Sequence, residues 1–193
     1  MFDIKVQAKQ GVFSRILQMA NPGFVLVAVF VPIMALVYAI NFGPLVSLNY
    51  VHIITGALWT GIDLFMGFVL GPVLGRMDPK ERAVVFKHLM PKMTFLMPVI
   101  AGVTGTAGLQ LTQRLGWSPV NPRILIAFVI TGILTIQGFG ILLPNEIRIF
   151  RELFSDKPDI NVISRLGMRN ARLGGMQGVL QLAIIFVMAT IRF

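Results

Sequence analysis

Long apolar runs, broken only by clusters of charge and by turn residues, dominate the chain, and they fall at roughly 23–42, 50–74, 89–112, 123–144 and 175–191. Each is close to the ~20 residues that a helix needs to cross a hydrocarbon layer of ~30 Å. The pattern predicts an all-α, polytopic membrane bundle of five transmembrane helices, of which the last is the shortest. Ahead of them, residues 1–20 combine Ile4, Val6, Phe13, Ile16 and Leu17 with Lys5, Lys9 and Arg15. No small-residue cleavage site follows a short apolar core, so this stretch reads as a retained, interfacial amphipathic segment rather than a signal peptide.

Residues 21–193 then form one bundle, interrupted by a single sizeable water-facing piece at about 145–174. Within it, Glu146 to Phe154 alternates apolar and charged positions at helical spacing, and Ser155-Asp156-Lys157-Pro158-Asp159 breaks the pattern. A second short helix is predicted over Val162–Leu173, with Gly174 and Gly175 handing over to the fifth span.

Composition agrees with lipid as the solvent: 55% of the 193 residues are hydrophobic and only 13% are charged. That excludes a water-soluble domain and a disordered tail, because too little polar surface remains to face water. The net charge of +9 is explained by where the basic residues fall. Thirteen of them, among them Arg15, Arg76, Lys80, Arg82, Lys87 and the arginines from Arg148 to Arg172, lie on one side of the predicted spans. Only Arg114, Arg123 and Arg192 lie on the other. The positive-inside rule then places the N-terminus in the cytoplasm and the C-terminus outside a cell membrane. Acids such as Asp78, Glu81, Glu152 and Asp156 interleave with this charge and no recognition motif accompanies it, so no nucleic-acid partner is expected. Cysteine is absent, which excludes thiolate ligands and covalent haem attachment through CxxCH.

Span two carries most of the remaining chemistry. Steps of four and three along it align His52, Gly56, Trp59, Asp63, Gly67 and Leu70 on one face, which must point inward because an aspartate facing lipid is costly. Asp63 either marks a polar pathway or pairs with a neighbouring helix, and Lys92 in span three is the candidate partner unless it snorkels to the interface. The two histidines, His52 and His88, fall near opposite ends of antiparallel spans, so they cannot share one metal or haem within a chain. His52 is the better candidate ligand, with Gly56 leaving space beneath it. Glycines recur in spans three to five, at Gly102, Gly105 and Gly108, then at Gly132, Gly138 and Gly140, and at Gly178; they fit close helix packing and a pocket equally well. Met90, Met93 and Met97 share a helical face, with Met66 at similar depth; thioethers suit Cu(I), and such a stripe also serves ordinary packing.

The run His52-Ile53-Ile54-Thr55-Gly56-Ala57-Leu58-Trp59-Thr60-Gly61, an H-x6-W-x-G pattern, resembles the loose superfamily of small bacterial haem-associated membrane proteins. That group includes the membrane protoporphyrinogen oxidase, copper-resistance D and urate oxidase membrane-domain families. Phe68 to Leu74, Asp78-Pro79-Lys80-Glu81-Arg82 and Thr104-Gly105 extend the resemblance over roughly residues 50–110. It implies a helical bundle with His52 as axial ligand of a non-covalent haem b. Where the protoporphyrinogen oxidase pattern has a basic residue and a further histidine after Trp-Gly, this chain has Ile62-Asp63-Leu64-Phe65-Met66.

Three functions follow as expectations. The first is a redox or electron-transfer subunit with haem b iron on His52, a pocket shaped by Gly56 and Trp59, and Arg114 and Arg123 facing the propionates. The second is a transporter or channel for copper or another small solute, using Asp63 and Lys92. The third is a cofactor-free accessory subunit. The expected partners are the lipid bilayer and either further copies of the chain or other membrane subunits.

Overall fold

The computed structural model describes residues 11–191, which form helices and short connections with no strand among them. Ile4, Val6, Lys5 and Lys9 of the amphipathic segment, and Arg192, lie outside the described residues. The helices are α1 (Val12–Ala20), α2 (Pro22–Asn41), α3 (Leu45–Gly75), α4 (Pro79–Arg114), α5 (Pro122–Leu153) and α6 (Ile160–Ile191). The last five are each long and apolar enough to cross a membrane. In their most apolar stretches only 17% to 28% of residues are buried within the chain. The large side chains that point outward, such as Phe30, Val46, Phe68, Ile136 and Phe186, would be intolerable in water and are ordinary in lipid.

α1 covers the described part of the amphipathic segment expected over residues 1–20. Phe13 meets Phe95 of α4 edge-on at a centroid distance of 6.0 Å. The Arg15 guanidinium lies 4.1 Å above the Phe154 ring at the end of α5. α1 thus braces the end of the bundle where the basic residues gather.

The water-facing piece expected at 145–174 is organised differently. α5 runs on through Glu146 to Leu153, and α6 starts at Ile160 and continues to Ile191 without a break at Gly174 and Gly175. The two glycines are crossing points and not hinges. A Cβ on Gly67 of α3 would lie 2.2 Å from the Gly175 Cα, so the two backbones touch there. Likewise a Cβ on Gly178 would meet Leu64, and one on Gly167 would fall 2.4 Å from the Phe86 ring of α4. Glycine inside a helix costs about 1 kcal/mol relative to alanine. Close backbone approach between membrane helices offsets that cost.

Side-chain amides fasten α5 to α6. Gln177 donates to the Leu134 carbonyl at 3.1 Å, and Gln137 donates in the opposite direction to the Leu173 carbonyl at 3.1 Å. Further along, Asn145 donates to the Asn170 side chain at 2.8 Å, and Asn170 donates to the Leu142 carbonyl at 3.1 Å. The Leu142 carbonyl is available because the helix widens into a π-turn over Gly138–Leu142. A matching π-turn interrupts α3 over Phe65–Leu70.

Two apolar clusters close the ends. One, built on Leu74, Phe86, Met90, Ile149 and Ile163, fills the end that carries the basic residues. The other, with Leu48, Val51, Val103 and Leu111, seals the α2–α3–α4 seam toward the opposite end.

Candidate functional site

Between these clusters α3, α4, α5 and α6 enclose a cavity of about 410 Å³. Trp59, Asp63 and Met66 face it from α3, the three methionines Met90, Met93 and Met97 from α4, Thr131 and Glu146 from α5, and Asn170 and Gln177 from α6. The methionine stripe and Met66 therefore come together on one wall system, as their helical spacing and depth predict. Among the described residues, no lysine, arginine or histidine lines this space, and the charge-bearing groups that reach it are the carboxyl groups of Asp63 and Glu146.

Asp63 is 3% exposed, and its Oδ2 accepts a hydrogen bond from the Gln181 side chain of α6 at 2.9 Å. The Trp59 indole, one turn away on the same helix, lines the cavity beside it. Gly174 passes so close that a Cβ there would lie 3.2 Å from Asp63 Oδ1. Glu146 accepts from the Thr94 hydroxyl of α4 at 2.7 Å. Glu146 belongs to the site although the sequence places it in a water-facing loop, because α5 extends about two and a half turns farther than its most apolar run.

The side of the cavity between α4 and upper α5 is open. α5 packs along α6 and meets α4 chiefly through its last turns. The rim there is made of exposed residues, including Thr106 and Leu109 on α4 and Thr135 and Phe139 on α5. Gly102, Gly105, Gly132, Gly138 and Gly140 have no atom within 4 Å of where a Cβ would stand. The glycines thus divide by role: Gly67, Gly167, Gly175 and Gly178 permit contact, whereas those at the α4–α5 opening leave space.

Lys92 does not partner Asp63. Its ammonium lies 5.9 Å above the Phe24 ring of α2, and the residue is exposed. At 100° per residue, position 92 is turned well away from the Met90, Met93 and Met97 face that looks into the cavity. Gln181 takes the place expected for the lysine.

His52 points at α4 rather than into the cavity. Its Nδ1 is 2.9 Å from the Thr104 carbonyl oxygen, and its ring covers Gly108, where a Cβ would approach Cε1 to 2.9 Å. The bond to Thr104 has the geometry of a histidine whose Nε2 is left free, as in many ligating imidazoles. The other residues expected around a haem lie as follows. Beside Gly56 the Thr104 methyl group stands 3.3 Å from where a Cβ would lie, so α3 and α4 pack closely next to His52. Arg114 donates to the Ile40 carbonyl, and Arg123 is exposed at the start of α5. Neither His52, Arg114 nor Arg123 lines the cavity. His88 is exposed on α4, about 30 Å along the helix from the Gly108 that His52 covers, in keeping with the separation expected of the two histidines.

The fold is that of a multi-pass α-helical membrane protein with a polar-spotted apolar cavity inside four of its spans. No family model, curated protein or solved structure matches the chain.

Proposed function

We propose that this protein is a membrane solute-binding protein, a carrier or channel component, whose four-helix cavity takes a small, largely apolar organic cation. The observation that carries the reading is the pairing of two carboxyl groups, Asp63 and Glu146, with a mostly apolar wall that, among the described residues, holds no basic side chain. Size favours an organic solute over a single metal ion, since about 410 Å³ falls in the range of small-molecule pockets. Trp59 offers an aromatic face and the methionines offer polarisable surface, both favourable to a cation's apolar body and charge. The opening between α4 and α5 faces lipid, so a solute that partitions into the bilayer has a direct route. The chain is inserted with its N-terminus in the cytoplasm, a reading supported by the sidedness of its basic residues.

Thermal unfolding of the detergent-solubilised protein tests this. Arylalkyl amines and quaternary ammonium ions should raise the midpoint, by an amount equivalent to about 2.7 kcal/mol at a hundredfold excess over Kd, and their neutral isosteres should do much less. Stabilisation by Cu(I) alone would move the function to the thioethers. No stabilisation by any cation would leave the bundle as an accessory subunit whose open cleft seats another helix.

A further inference from the structure

A second pocket, of about 670 Å³, lies at the basic end of the bundle, away from the Asp63 cavity. Arg82, in the first turn of α4, faces it together with Arg165, Arg169 and Arg172 from the first turns of α6. The spacing of the three α6 arginines, four and then three residues, puts them on one helix face. Among the described residues, no aspartate or glutamate lines the pocket. The acids nearest in sequence to Arg82 are engaged elsewhere: the Glu81 carboxylate accepts the Asp78 backbone N–H at 3.0 Å as part of the α4 cap. Arg82 Nε is shut off from solvent and has no hydrogen-bond partner among the described residues.

Four guanidinium groups around one space repel one another, and a buried guanidinium N–H without an acceptor is costly in its own right. Both problems have one solution, an anion with several acceptor oxygens. Phosphate matches best, because guanidinium forks engage its oxygens in pairs. Met168 and Leu173 contribute apolar surface to the same pocket, and it adjoins the end of the apolar spans. Basic pockets between helices at that level of a membrane suit phospholipid head groups.

We propose that this pocket binds a phosphate group, supplied by the head of an anionic phospholipid, in a site formed by Arg82, Arg165, Arg169 and Arg172. The site is independent of the cavity reading above, since it shares no lining residue with it.

The test is native mass spectrometry of the full chain released from nanodiscs of mixed phosphatidylglycerol and phosphatidylcholine. Wild type should retain phosphatidylglycerol, and Arg82→Gln and the milder, surface-exposed change Arg172→Gln should each reduce retention about tenfold, the loss of one charge-assisted pair. Arg148→Gln with Arg151→Gln, at the same end but outside the pocket, should leave retention unchanged. A second arm adds excess inorganic phosphate to lipid-stripped protein and follows thermal unfolding. Stabilisation in that arm, lost in Arg172→Gln and accompanied by no lipid preference, would keep the phosphate site and assign it to a free anion. Equal loss of phosphatidylglycerol in the pocket and control variants, or no preference in either arm, would overturn the proposal.

Discussion

Gln181 on α6 reaches across the bundle to Asp63 on α3, and its amide nitrogen stands 2.9 Å from the carboxyl oxygen. The other end of the same amide, Gln181 Oε1, is buried without a partner, so the residue is held there for its donor. This bond fixes the Asp63 carboxyl at the cavity wall while Gly174 fills in behind it. Gln181→Leu should destabilise the fold by about 1–2 kcal/mol and weaken cation binding, because it deprives a buried carboxyl of a donor. Asp63→Asn keeps an acceptor for Gln181, so its thermal midpoint should stay near wild type while cation binding falls at least about tenfold. A variant that binds normally would remove Asp63 from the site.

The glycines provide an internal contrast. Gly67→Ala and Gly175→Ala force apart two touching backbones, and each should cost about 1–3 kcal/mol in thermal or denaturant unfolding. Gly132→Ala, which meets nothing within 4 Å, should be neutral or gain up to about 1 kcal/mol from helix propensity. Similar behaviour of all three would mean that α3 and α6 do not cross where the structure puts them.

The absence of cysteine makes orientation simple to measure. Ser118 lies in the α4–α5 connection and Ser155 in the α5–α6 connection, both exposed. In intact cells a membrane-impermeant maleimide should label Ser118→Cys and spare Ser155→Cys until the membrane is opened. The reverse pattern would contradict the N-in assignment.

His52 is bound to the Thr104 carbonyl and packed on Gly108. Protein purified from haem-replete cells should therefore show no Soret band that depends on this residue. A band present in wild type and lost in His52→Ala would assign His52 as an iron ligand, at a site outside the cavity.

Much of this architecture is legible in the sequence because hydropathy and helical period are local properties. Five spans follow from run length, and the inward face of α3 follows from the positions of His52, Trp59 and Asp63. The grouping of Met66 with the α4 methionines follows from helical spacing and depth. What is not legible depends on which helix lies beside which. Asp63 meets Gln181, 118 residues away, and not Lys92, since the rotation of α4 turns position 92 toward α2. Gly174 and Gly175 have the composition of a break, and only the presence of Gly67 opposite shows why the helix continues. Glu146 reads as a loop residue because its neighbours Asn145 and Arg148 are polar. Its place in the cavity depends on Asn145 being satisfied by Asn170.

Trp59 fluorescence is the most direct probe of the cavity. In a Trp117→Phe background Trp59 is the sole tryptophan, since the chain has 2. The protein in nanodiscs can then be titrated with phenethylamine and, in parallel, with neutral phenethyl alcohol. The account predicts a saturable change with the amine that is absent with the alcohol and lost in Asp63→Asn. No saturable change with the amine, or an equal response to the alcohol that survives Asp63→Asn, would contradict it.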